Sequence, residues 1–190
     1  LELNQAVPVS QTAWKMIGSR MFLEPNKQVT VDELIRGMIV QSGNDACIAL
    51  AEAVAGSEAN FTGIMNKEAA RLGMKNTHFT NSTGLPDPNH YTTASDLSLL
   101  AAAIIRDFPE FYPLYSQKEY TYNNITQPNR NRLLWIDPHV DGMKTGWTKN
   151  AGICLFTSAM RDKRRLLSLD IGDESDNARS AESRRLLNYG

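Results

Sequence analysis

Cysteine is scarce: Cys47 and Cys154 are the only two in 190 residues. Each stands in an apolar run, Ala46-Cys47-Ile48-Ala49 and Ile153-Cys154-Leu155-Phe156. That setting suits free buried thiols better than a disulfide. No stretch is long and apolar enough to cross a bilayer as a helix. Neither charge sign is in surplus, with a net charge of -1, so there is no electrostatic footprint for nucleic acid. The local basic run from Arg161 to Arg165 is expected to be a solvated hairpin tip. His78, His90 and His139 are scattered without ligand spacing, and no H-E-x-x-H or paired C-x-x-C occurs. No metal or other cofactor is therefore expected. One further absence matters most: no serine is followed three residues later by lysine.

What is present is a foldable chain. Hydrophobic residues make up 42% and charged residues 22%, a balance that builds a core. The length fits one domain or a large piece of one. The chain opens Leu1-Glu2-Leu3 and closes Asn188-Tyr189-Gly190 straight after a helical pattern, and both ends are expected to be cut from longer sequence.

The first 28 residues carry no clear period. Thr30-Val31-Asp32-Glu33 then reads as a capping box, opening a short helix through Leu34, Ile35 and Met38 that stops near Ser42-Gly43. Residues 45–55 are apolar almost all round, the pattern of a buried helix ended by Gly56. Ser57 starts another, with Phe61, Ile64, Met65, Ala69 and Leu72 at helical spacing and Gly73 as its stop. Residues 74–92 read as a long irregular loop, and 93–107 as a helix capped by Thr93 and ended before Pro109. Residues 118–122 alternate like an exposed strand. Residues 152–160 and 165–171 predict an antiparallel hairpin, followed by an amphipathic helix over 177–188. Helices first, then strands and a last helix, predict an α+β fold: an antiparallel sheet flanked by helices.

Two tripeptides could carry chemistry. Ser42-Gly43-Asn44 stands at a helix junction beside the start of the buried helix, where free N–H groups and the dipole favour negative charge. A serine there can pass a proton, and an asparagine amide can hold a peptide carbonyl. The same tripeptide is also ordinary punctuation between helices. Lys144-Thr145-Gly146 precedes an apolar strand. Its lysine could supply charge to a cleft, its threonine a hydroxyl to a carboxylate, and its glycine close backbone approach for a peptide. It could equally be an exposed charge and a turn.

The surroundings sharpen this. Gln41-Ser42-Gly43-Asn44-Asp45-Ala46-Cys47 and Val140-Asp141-Gly142-Met143-Lys144-Thr145-Gly146 resemble the D-alanyl-D-alanine carboxypeptidases, the low-molecular-mass penicillin-binding proteins. So do Leu72-Gly73-Met74-Lys75-Asn76-Thr77-His78-Phe79, Asn129-Arg130-Asn131 with Leu133-Leu134-Trp135, and Ala181-Glu182-Ser183. The likeness runs from about Met21 to the end. It implies the serine β-lactamase fold, incomplete here, with a helical lobe beside the sheet. It implies acyl transfer on D-Ala-D-Ala stem peptides of peptidoglycan, β-lactams as ligands, and a periplasmic or cell-surface place with the parent protein membrane-associated.

In that family a serine of Ser-x-x-Lys is the nucleophile and its lysine the base. By resemblance Lys144 is a second cation lowering that base's pKa, Ser42 a proton relay and Asn44 its partner. Thr145 and Gly146 would face the substrate, Arg179 would meet its carboxylate, and Arg130 is a further candidate. The alternative for Arg179 is a solvated residue in the first helical turn, where the dipole disfavours a cation.

The sequence departs from the family in three ways. Ser-x-x-Lys is missing, and is expected upstream of Leu1, so that the fragment alone is expected to be inactive. The small C-terminal β-domain and amphipathic anchor of many members are not found. Trp147 stands where relatives often carry histidine. Rival readings are a silent peptidoglycan-binding homologue, a D,D-endopeptidase, and a class A β-lactamase, which would need Asp at position 43.

Overall fold

The computed structural model describes residues 1–190. The chain divides into two compact units, Leu1–Asp107 with Glu119–Pro128, and Phe108–Lys118 with Asn129–Gly190.

The first unit begins with β1 (Ala6–Pro8), α1 (Gln11–Trp14) and β2 (Gln28–Thr30). β1 and β2 pair antiparallel, with Val7 opposite Val29. The expected capping box opens α2 (Val31–Val40). The Thr30 hydroxyl accepts from the Glu33 N–H at 3.3 Å, and the Glu33 carboxylate accepts from the Thr30 N–H at 2.8 Å. α3 (Asn44–Ala55) ends on Gly56, whose φ of 77° only glycine adopts without strain. Ala46, Ile48, Ala49 and Ala51 are buried as the apolar run requires, while Val54 in the last turn is 48% exposed. α4 (Glu58–Arg71) starts on Ser57, and α5 (Ala94–Asp107) on the Thr93 hydroxyl, which accepts from the Asp96 N–H. Val7, Met21, Leu23, Val29, Leu34 and Ile48 form the centre of the core. Each such large side chain contributes about 1.5–3 kcal/mol by leaving water.

The loop over 74–92 is irregular as expected, yet side chains pin it. The Asn66 amide bonds both the N–H and the carbonyl of Phe79, and Asp96 accepts from the Asn76 N–H and the Thr77 hydroxyl. The unit closes with β3 (Glu119–Tyr122) and β4 (Ile125–Pro128), joined through Asn123 and Asn124. Both asparagines have positive φ, 48° and 59°, which suits a two-residue hairpin turn. β3 is not wholly exposed: Tyr122 is buried against the core. No helix is long and apolar enough to cross a membrane.

The second unit holds a 3₁₀ turn (Tyr112–Ser116), α6 (Leu133–Ile136), β5 (Val140–Thr148), β6 (Gly152–Arg161), β7 (Arg164–Asp173) and α7 (Asp176–Tyr189). The strands form an antiparallel sheet in the order β5-β6-β7. The expected hairpin turns on Asp162 and Lys163, both at positive φ. On β6, Leu155, Thr157 and Ala159 alternate into the interior, where Leu155 and Ala159 join Leu187 of α7 in one cluster.

The basic run is not a solvated tip throughout. Arg161 pairs with Asp137 at 2.5 Å, and Arg165 pairs with Asp141 at 2.6 Å and lies over the Tyr112 ring. The strand ends bring these arginines beside Asp137, which follows α6, and Asp141 at the start of β5, so only Asp162, Lys163 and Arg164 of the run are left to solvent. The two cysteines form no disulfide, as expected, but are half-buried rather than buried. Cys154 lies opposite Gly146, which has no side chain to cover it.

Candidate active site

Ser42, Gly43 and Asn44 form the joint between α2 and α3 in the first unit. Ser42 has a φ of 55°, a left-handed conformation that costs a non-glycine residue roughly 1 kcal/mol or more. The turn returns the Gly43 N–H to the Gly37 carbonyl at 3.0 Å. Gly43 is required by space as well: a Cβ there would come within 2.9 Å of Asp45 Oδ1 and 3.1 Å of the Met21 nitrogen. The aspartate of a β-lactamase-type motif would not fit this turn unaltered.

The start of α3 is not the open anion site that its sequence suggests. The Asn44 N–H donates to the Ser19 carbonyl at 2.8 Å, and the Asn44 amide donates to the Ile17 carbonyl at 2.8 Å. Asn44 thus does hold a peptide carbonyl, one belonging to its own chain. Asp45, which the sequence reading passes over, is 1% exposed. Its carboxylate accepts from the N–H groups of Met21 at 2.9 Å, Leu23 at 3.0 Å and Ala46 at 3.0 Å. A negative side chain already occupies the helix start, and segment 17–23 is stapled across it. The available signal was an Asp in the first turn of a helix, which the dipole favours.

Lys144, Thr145 and Gly146 precede the apolar strand β6, as expected, and themselves lie inside β5, an edge of its sheet. They stand opposite Phe156, Leu155 and Cys154. Exposure grows along the strand: Met143 is buried, Lys144 and Thr145 are half-buried, and Gly146 is exposed. The Lys144 amine donates to the Thr145 carbonyl at 3.0 Å. Trp147 follows at 70% exposure.

Arg179 is not a solvated arginine. It is 5% exposed on α7, and it donates to the Cys154 carbonyl at 3.2 Å and the Arg130 carbonyl at 3.1 Å. Its ion pair with Asp176 spans 3.0 Å. Burial pulls its pKa below the usual arginine value, with Asp176 opposing that shift. Arg179 therefore braces the strand partner of Gly146 together with the backbone of Arg130, whose side chain is exposed. So the second unit brings Lys144, Thr145, Gly146, Arg130 and Arg179 onto one connected frame. Asn129 and Asn131 belong to it, quoted in the sequence only as part of a motif. No three His, Cys, Asp or Glu side chains gather as a metal site would need.

Helices with an antiparallel sheet, a left-handed Ser-Gly-Asn joint and a Lys-Thr-Gly edge strand define a serine transpeptidase-like protein. Residues 1–175 match the D-alanyl-D-alanine carboxypeptidase family, and the chain belongs to it. It is 48% identical over 197 residues to D-alanyl-D-alanine carboxypeptidase DacC of Escherichia coli, covering 100% of the chain and 49% of that protein. Its likeness to DacF of Bacillus subtilis is 37% over 193 residues, covering 100% of the chain and 50% of the relative. The chain thus spans about half the length of the curated relatives it matches. Among solved structures, penicillin-binding protein 5 of Haemophilus influenzae superposes with a TM-score of 0.96 at 47% identity, covering 99% of this chain and 56% of that one. The Streptomyces K15 DD-transpeptidase gives 0.93 at 27% identity, covering 100% and 79%.

Proposed function

We propose that these residues are part of the transpeptidase-like domain of a serine D-alanyl-D-alanine carboxypeptidase. The whole enzyme would remove the terminal D-alanine from peptidoglycan stem peptides and be acylated by β-lactams. It would work in the periplasm or at the cell surface, membrane-associated. The observation that carries this reading is the edge strand β5, with a lysine, a hydroxyl and an exposed glycine in succession. An extended peptide can add to such an edge by main-chain hydrogen bonds.

The residues divide the work as follows. Lys144 supplies fixed positive charge beside the reacting centre, which depresses the pKa of a neighbouring lysine base and stabilises developing negative charge. Thr145 offers its hydroxyl to the substrate carboxylate, and Gly146 lets the peptide approach the strand. Arg130 adds charge at the carboxylate end, and Arg179 holds the backbone under both. Ser42 relays a proton to the leaving amine, and its strained φ suits a residue held for function. Asn44 orients the turn. The nucleophilic serine and its lysine base lie outside these 190 residues, which contain no Ser-x-x-Lys. In the cycle, that serine attacks the carbonyl between the two D-alanines, the terminal D-alanine leaves, and water releases the shortened stem.

The test is intact-mass measurement after incubation with benzylpenicillin. The complete protein should gain the mass of one drug molecule and release D-alanine from a D-Ala-D-Ala peptide. Residues 1–190 alone should show no adduct. Lys144→Ala in the complete protein should slow acylation by about 10²-fold or more, as loss of a preorganised charge does. An adduct on Ser42 in the 190-residue chain, or a complete protein that binds stem peptide without cleaving it, would refute the reading.

A further inference from the structure

Asn131 is 0% exposed, and both its side-chain amide and its backbone are hydrogen-bonded. Its Oδ1 accepts from the Leu133 N–H at 3.1 Å, where α6 starts. Its Nδ2 donates to the Gly142 carbonyl at 3.0 Å. Its own N–H is held by Asn129 Oδ1 at 2.9 Å, and Asn129 Nδ2 reaches the Gln117 carbonyl at 3.0 Å.

Gly142 is the point on β5 that most needs a partner. The pairing of β5 with β6 slips between Val140 and Gly142, and β5 has no neighbour strand on its other side. A bulge weakens the ladder locally and re-aims the side chains that follow. Lys144 follows two residues later. The opposite side of Gly142 is also closed: a Cβ there would lie 2.6 Å from the Tyr112 hydroxyl. That hydroxyl donates to Asp141 at 3.2 Å, and Asp141 is gripped by Arg165. The strand start is therefore held by Asn131 at the Gly142 carbonyl, and Tyr112 leaves no room for a side chain at Gly142.

We propose that Asn131 is a positioning residue for Lys144, clamping the bulged start of β5 so that the lysine and the Thr145-Gly146 edge stay in one place. The proposal rests on the carboxypeptidase reading above. Buried hydrogen bonds of this kind matter because catalytic groups tolerate little displacement: a shift of about 1 Å can cost 10²-fold in rate.

The experiment measures the acylation rate constant of the complete protein with a fluorescent penicillin, per folded molecule, beside its Tm. Asn131→Asp keeps the size and the acceptor for Leu133 but turns a carboxylate oxygen toward the Gly142 carbonyl. Its rate constant should fall by about 10-fold to 100-fold. Ala69→Gly, a buried site on α4, which carries neither motif, should lower Tm yet keep the wild-type rate per folded molecule. If Asn131→Asp does not fold, Asn131→Ser, which leaves room for water at Gly142, is measured the same way and should lose about 10-fold. A wild-type rate per folded molecule in either variant overturns the clamp while leaving the enzyme assignment intact. A wild-type protein that is not acylated at all overturns both.

Discussion

Asp45→Ala probes how the Ser42-Gly43-Asn44 joint is held. The Asp45 carboxylate is buried, and two of its three donors, Met21 and Leu23, come from a segment 24 and 22 residues away. Those two residues are themselves 0% and 3% exposed, so water does not replace the lost acceptor. Hydrogen bonds to a charged group are worth about 1.5–3 kcal/mol each, so the two long-range bonds sum to about 3–6 kcal/mol. Removing the carboxylate also removes its own desolvation cost on folding, which returns part of that sum. The expected net loss is about 2–4 kcal/mol, a large share of the roughly 5–15 kcal/mol that holds a domain together. Asp32→Ala is the matched control. Its pair with Arg36 is about one-third exposed, and such pairs contribute at most about 1 kcal/mol. Urea unfolding at pH 7, followed by far-UV circular dichroism, compares the two. An Asp45→Ala loss below about 1 kcal/mol, or one equal to that of Asp32→Ala, would refute the stapled-joint argument.

Arg179→Ala should destabilise as well as slow the enzyme, because it strips two backbone carbonyls of a buried charged donor worth about 1.5–3 kcal/mol each. An unchanged Tm would return Arg179 to a purely substrate-facing role. Gly43→Asp should cost about 1–3 kcal/mol, since its Cβ meets Asp45 and a second carboxylate arrives beside the first; chemical denaturation that finds no loss would show that the turn accepts the β-lactamase residue. Burial raises the pKa of Asp170, the Ser183 hydroxyl opposing, and Asp173 and Glu182 add to the rise. A carboxyl whose folded pKa lies above its unfolded value favours folding while protonated and loses that advantage as pH rises through the folded value. Asp170→Asn should therefore raise Tm at pH 7, with the gain shrinking toward acid pH; a gain equal at both pH values would contradict the burial argument.

Much of the secondary structure was written in neighbours a few residues apart. The capping box at Thr30, the Gly56 stop and the Arg161-to-Arg164 turn each depend on contacts within about one turn of chain, and all three formed where the sequence put them. The hairpin at Asn123-Asn124 rests on the same kind of short-range contact. β1 and β2 were not legible: three-residue strands have no period to read, and their pairing joins Val7 to Val29 across the chain. The two motifs were recognisable as residue types at a given spacing.

The roles around those motifs were not recognisable, because they depend on partners distant in sequence. Arg179 reads as a carboxylate partner or, alternatively, as a solvated residue of its helical turn, and it is buried because α7 lays it against Cys154 and Arg130, 25 and 49 residues away. The start of α3 looked electropositive until segment 17–23 and Asp45 filled it. Asn131 looked like one letter of a motif until folding set its amide on the carbonyl of Gly142. Sequence alone determined the local elements and the chemistry on offer, since both follow from side-chain type and short-range spacing. Tertiary structure alone decided which polar groups are spent on the chain's own backbone and which stay open, since a hydrogen bond spanning tens of residues exists only after packing has brought its ends together and excluded water from between them.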